Sequence, residues 1–376
     1  MSMLTLQNRW YNAFTGALGL NRGLAQLLQP AALLDGTDTQ LWSLQDIVPP
    51  ESLMRDGLTA ASRFFAEYAA VIQQLEFPQS LFAQNIGAAN YAAWSAYLQT
   101  LKPQPAAAQL PGIFRTWAMR HAPSVVSIGV ADLTAMALYA SAQSSLLPYE
   151  GSHPKPVDYS GTYAQLIATL DVSGSQSLSS EVSRVSADVN DTWTGGIDEA
   201  PFGLWLGNSA SSTIARKFAA SHVTVQASFD ALLVWMSTPG AWYNSSALNA
   251  AYSSPATPPW PPDPDPTWEE MFGPGGALLY AEASLIVVSG ISMLVTTDAP
   301  FTRSEQHAIA ANANRGTWPF YLPSTSTVEL SGRATAITTS VPKGTAVVLG
   351  QNVPGIGAYL GHGPSETHNV AAVSGR

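Results

Sequence analysis

Between His222 and Ala231 the chain alternates without a break, Val223, Val225, Ala227, Phe229 and Ala231 against Thr224, Gln226, Ser228 and Asp230. A period of two sends the two sets to opposite faces of a strand, so this stretch demands a sheet with one face buried. Further strands are predicted at Tyr163–Val172, Ala283–Val288, Ser292–Thr297, Thr327–Thr339 and Ala346–Leu349, with Ser289-Gly290 and Pro342-Lys343-Gly344 as turns. One helix should interrupt them near 303–314: Thr302 and Glu305 have capping-box spacing, and Asn314-Arg315-Gly316 supplies the stop.

The first half has a different texture. From Leu18 to Leu147, Ala, Leu, Gln and Met dominate and prolines fall between segments. Pro49-Pro50-Glu51 predicts a helix start, followed by one apolar face of Leu58, Ala61, Phe65, Tyr68, Ile72 and Leu75 and an end near Phe77-Pro78. More helices are expected over 79–101, 111–121 and 124–146. The fold class predicted is therefore α+β, an N-terminal helical bundle (1–150) followed by an antiparallel, β-sandwich-like domain (157–361) and a flexible tail (362–376). The linker is placed at 150–156, and Ser253–Pro266, dense in proline, should be an extended loop.

Charge narrows the function classes. Only 11% of the 376 residues are charged, against roughly 25% in ordinary soluble domains. The net charge of -10 and the 16 scattered cations argue against nucleic acid as a partner. Hydrophobic residues at 46% suffice for a real core, and zero cysteine excludes disulfides and thiolate metal sites. The first residues lack a basic segment followed by an apolar run, which reads as cytoplasmic, with non-classical secretion as the alternative.

Catalytic motifs fall short one by one. No two of the six histidines have helical i,i+3 or i,i+4 spacing. Gly207-Asn-Ser209-Ala-Ser211 lacks the last glycine of a nucleophile elbow, and Gly355-Ile-Gly357-Ala-Tyr-Leu-Gly361 is too long for a dinucleotide fingerprint. No cofactor is expected. Asp263 and Asp265, followed by Glu269 and Glu270, are the candidate metal ligands, because a hard cation needs several carboxylate oxygens from one loop. Asp198, Glu199 and Asp265 beside aromatic residues are candidates for a glycosidase carboxylate pair. Two aromatic corners, Pro239-Gly-Ala-Trp242-Tyr243 and Trp318-Pro-Phe-Tyr321, serve either as core anchors or as a ligand-binding shelf built from Trp242, Tyr243, Trp318 and Tyr321.

The charge deficit is local. From Leu204 to Pro262 the charged residues are Arg216, Lys217 and Asp230, and from Met271 to Thr297 there is Glu282 alone. Such segments suit a low-charge interface, so the leading expectation is a non-enzymatic protein that binds itself or another protein. Pro123–Pro148 has Asp132 as its sole charge and approaches the length of a bilayer crossing, which adds membrane lipid as a partner and a toxin-like, membrane-inserting or pore-forming reading. The third expectation is the carbohydrate-active hydrolase.

Overall fold

The structure, a computed structural model, describes residues 3–48, 63–182, 203–205, 212–322, 325–331 and 334–361. In chain order the elements are α1 (Met3–Ala17), β1 (Ala25–Leu33), α2 (Asp38–Gln45), α3 (Phe64–Gln74), α4 (Gln79–Ile86), α5 (Ala88–Thr100), α6 (Leu110–His121) and α7 (Val126–Leu146). There follow α8 (Tyr163–Asp171), β2 (Gln176–Val182), α9 (Ser212–Ala220), β3 (Val223–Met236), α10 (Ser245–Ser253), α11 (Trp268–Phe272) and β4 (Ser284–Thr297). The last are α12 (Arg303–Asn312), β5 (Thr325–Ser331), β6 (Ala334–Ser340), β7 (Ala346–Asn352) and α13 (Ile356–Gly361).

The fold is α+β with an antiparallel sheet, and contacts divide it into two units, each assembled from separate stretches of chain. The first, 1–63, 159–238 and 280–354, holds every strand; the second, 64–158, 239–279 and 355–376, holds helices. Of the bundle expected over 1–150, residues 64–150 fall in the helical unit, and the described residues before them belong with the sheet. The physical reason is β1, whose Leu, Ala and Gln composition favours a helix but which pairs with β7 from Ala25↔Asn352 to Leu33↔Val347. Pro30, which cannot donate a ladder hydrogen bond, sits where that register slips.

The seven strands form one sheet organised on β4. One edge of β4 pairs with β3 along its length; the other pairs with β7 over Ser284–Ser289 and then with β6 over Ser292–Thr297. Its two neighbours on that side carry β1 and β5 as outer strands, so the sheet forks. Helices cover both faces. On one, α1, α9 and α12 bring Trp10, Phe14, Phe218 and Ile309 against Val225, Phe229, Ile291 and Met293; on the other, α2 and α8 bring Leu41, Leu44, Leu166 and Leu170 against Leu285, Val287 and Val348. The sandwich-like layering is therefore helix–sheet–helix, with no second sheet among the described residues.

The clean alternation of β3 changes phase at Asp230. Phe229 pairs with Ile291 and Ala231 with Ser289, leaving Asp230 and Gly290 as one extra residue in each strand. Consequently Phe229 faces the first core, whereas Ala231 faces the second, and Leu232 returns to the first. A one-residue insertion in both strands flips both together, so the register survives while the faces exchange. Gly290 has φ +61°, and a Cβ there would lie 2.2 Å from Asp230 Oδ2. What reads as a turn at Ser289-Gly290 is this insertion, and the two strands expected on either side are one strand, β4.

Other elements depart from expectation for equally local reasons. The strand predicted at Tyr163–Val172 is α8, because Thr162 and Gln165 cap each other reciprocally and Leu166 and Leu170, four residues apart, share the buried face. Thr327–Thr339 is a hairpin, β5 and β6, with Ser331 opposite Ala334. The helix expected over 79–101 breaks at Gly87 into α4 and α5. Helix α12 forms as its Thr302–Glu305 box requires, and Glu305 also pairs with Lys217 at 2.8 Å. The helix start at Pro49, Leu58, Ala61 and the tail over 362–376 lie outside the described residues.

Replacing Gly290 by alanine should destabilise the protein by at least ~2 kcal/mol, from the left-handed backbone and the collision with Asp230 together. Urea unfolding measures this, and a Gly290→Ala variant as stable as the parent would contradict the paired insertion.

Candidate functional site

Both aromatic corners are anchors. Trp318, fully buried, donates its indole N–H to Gln7 and sits 6.0 Å from the rings of Trp10 and Phe218, while its backbone N–H bonds Leu204. Tyr321 is buried and donates its hydroxyl to the Gly203 carbonyl at 2.6 Å; burial pushes its phenol well above the usual range. In the helical unit, Trp242 is buried against Phe65, Tyr68 and Phe64, and its indole donates to the Asp158 carbonyl at 2.9 Å. Tyr243 packs on Tyr68 at 5.1 Å and Tyr359 at 6.5 Å, with its hydroxyl buried and without a hydrogen-bond partner. Trp318 and Tyr321 are thus core residues of the sheet unit, and Trp242 and Tyr243 belong to the helical unit, where Trp242 is fully buried.

The acidic candidates are equally dispersed. Asp263 and Asp265 are exposed on the proline-dense loop, where the backbone N–H of Asp265 donates to Gln74. Glu270 is committed to capping α11 through Thr267, whose hydrogen bonds hold its carboxyl below the ordinary range. Among the described residues no three His, Asp or Glu side chains converge on a metal position. Asp198 and Glu199 lie outside the described residues. Glu282, the lone charge between Met271 and Thr297, is buried, its Oε1 lacks a hydrogen-bond partner, and desolvation pushes its pKa well above the carboxylate range.

Burial explains most of the missing charge in the sheet. Strand β4 is buried on both faces over Ser284–Ser289, so a charge at any of these positions would face a core. No such explanation serves α7. This helix and its flanking short turns, Pro123–Tyr149, form the one described segment long and apolar enough to cross a membrane, yet only 28% of its most apolar stretch is buried. Its 21 residues rise about 31 Å, close to the roughly 30 Å of a bilayer's hydrocarbon core.

Three features fix α7 in the helical unit. Gly129 lets the Phe114 ring of α6 approach so closely that a Cβ would lie 2.2 Å from it. Phe114 and Trp117 of α6 pack with Trp94 of α5 at 5.0 and 5.5 Å, and Leu133 of α7 joins this core. Asp132 is buried and accepts a hydrogen bond from Asn85 of α4 at 3.0 Å, which shelters the lone charge of the helix. The outward side carries Ser127, Ile128, Ala131, Thr134, Ser141, Ser144 and Leu147, with Ile128 42% and Leu147 66% exposed. The absence of charge was readable in the sequence; the Asn85 partner, 47 residues away, was not.

No protein-family profile, curated protein or solved structure matches the chain significantly.

A carboxyl whose pKa is raised by folding adds stability that is full below its unfolded pKa and is lost as pH rises through the folded value. Glu282→Gln should therefore raise Tm relative to the parent at neutral and alkaline pH, with the two curves converging in acid. Thermal unfolding across pH checks this; a constant offset at every pH would refute the buried-carboxyl assignment.

Proposed function

We propose that this is a non-enzymatic, membrane-active binding protein whose lipid-contacting element is α7 together with α6. The observation that carries the reading is the mismatch on α7: a bilayer-length apolar helix of which only 28% of the most apolar stretch is buried, the rest half-buried or exposed, with its single charge turned inward onto Asn85. In water such a surface is held by the α6 contacts and by small Ser, Thr and Ala side chains. Against lipid the same side chains cost little, and Asp132 is the one group that must be neutralised or kept within protein.

Self-association is the second reading. Beyond Phe229 no described strand pairs with the outer edge of β3, and Val234 and Met236 are 37% and 56% exposed there. An open apolar edge is a template for another copy of the same strand.

Dye release from liposomes tests the first reading. Leakage is expected from the parent, and a fixed charge at an exposed position near the middle of the helix, Thr134→Lys, should suppress it at least tenfold, since a central lysine costs about 2.5–3.5 kcal/mol in a bilayer. Absence of leakage, or leakage untouched by that variant, removes α7 from the role. A mass that rises with concentration and drops on Met236→Lys would instead favour the β3 edge.

A further inference from the structure

Acidic residues are absent from one long stretch of the chain. From Phe77 to Ala131 the charged residues are Lys102, Arg115 and Arg120, all basic, while all 26 acids of a chain with net charge -10 lie elsewhere. The stretch covers α4, α5, α6 and the entry to α7. At 55 residues this is the longest acid-free stretch of the chain.

The two arginines border one broad exposed surface of α6, five residues and about 140° of helix rotation apart. Phe114, Trp117 and Ala118 turn the inner side of α6 to the core. Gly112, Arg115, Thr116, Met119 and Arg120 are exposed and follow the three- and four-residue steps of one helix face. Met119, 65% exposed, stands between the arginines on this face. Neither arginine has an ion pair or hydrogen bond to a described residue, so both guanidinium groups are free for an external anion. Directly after α6 come Pro123 and Ser124, exposed in the tight connection, and then Ile128, also exposed.

Resting on the membrane reading above, we infer that the α6–α7 turn recognises anionic lipid surfaces in particular. Arg115 and Arg120 bind the headgroup phosphates and carboxylates, and Met119 and Ile128 enter the boundary between headgroups and acyl chains. Guanidinium groups suit this role because their planar forks bond phosphate oxygens in pairs and are weakly hydrated. The exposed apolar side chains between and after the arginines separate this surface from a nucleic-acid site, which would add cations and stacking aromatics in their place. Lys102, exposed after α5, adds to the same local charge. The surrounding acidic chain sets the selectivity: a neutral bilayer offers no attraction to offset desolvation of the arginines, and an anionic one does.

Co-sedimentation of the full chain with phosphatidylcholine vesicles, with and without phosphatidylglycerol, tests the inference. Binding should be strong to the anionic vesicles, weak to the neutral ones, and reduced by added salt. Reversing both arginines, Arg115→Glu with Arg120→Glu, should weaken anionic binding by about thirtyfold or more, each basic residue near such a surface being worth roughly fivefold. The control reverses two exposed arginines of the sheet unit, Arg216→Glu with Arg303→Glu, which changes net charge equally and should leave binding near the parent level. All these side chains are exposed, and an unchanged near-UV spectrum establishes that each variant folds. Equal binding to neutral and anionic vesicles would overturn the inference while leaving the membrane reading intact; no binding to either would overturn both. An equal loss in the control pair, or soluble polyphosphate binding as tightly as the vesicles, would also overturn it.

Discussion

Strand β4 has to bury both of its faces, and the sheet unit is arranged around that requirement. Over Ser284–Ser289 plain alternation serves two cores, Leu285 and Val287 facing one and Ile286 and Val288 the other, and at Gly290 and Asp230 the two faces exchange. Before the exchange Ile286 and Val288 share a core with Phe14 and Phe218, and after it Ile291, Met293 and Val295 do. The same place is where the partner on the other edge changes from β7 to β6. The fork, the two helical layers and the absence of charge over this strand are connected: with side chains packed on both sides, an ionised group would lose its hydration without gaining a partner.

Glu282, just before the strand, shows what an exception costs, since it is buried with an unpaired oxygen and is driven toward its neutral form. On the helical side Asp132 is handled differently, by an amide donor from a neighbouring helix. Each acid is the lone charge of a charge-poor stretch, yet they mark different situations. Around Glu282 the low charge follows from interior position, whereas around Asp132 it persists on a surface that water touches.

What could be read without coordinates was whatever one segment decides by itself. The Thr302–Glu305 box announced α12, and the alternation of Val223 through Phe229 announced β3. The same Thr-x-x-Gln logic stands at Thr162–Gln165, where the apolar run after it, with its Thr and Val, reads as a strand although the cap makes it a helix. β1 could not be found locally: Leu27 and Leu28 become strand residues because β7 supplies the hydrogen bonds, more than 300 residues later in sequence. The aromatic corners were legible as rigid corners, and their burial decided between anchor and shelf. Asp263 and Asp265 looked like a cluster in sequence because neighbours on a loop share a number line, although their side chains do not converge.

The pairing of β1 with β7 also sets an order of events for the growing chain. Ala25 is synthesised more than 300 residues before its partner Asn352, and β7 in turn separates β1 from β4. Until β7 has been made β1 lacks the strand it joins, and its Leu27 and Leu28 must stay out of wrong pairings over that interval. Closing so long a loop is entropically slow, and sheets rich in such distant contacts fold slowly. The sheet unit is thus incomplete until β7 has been made, and the apolar strand edges that β7 joins stay open for that interval.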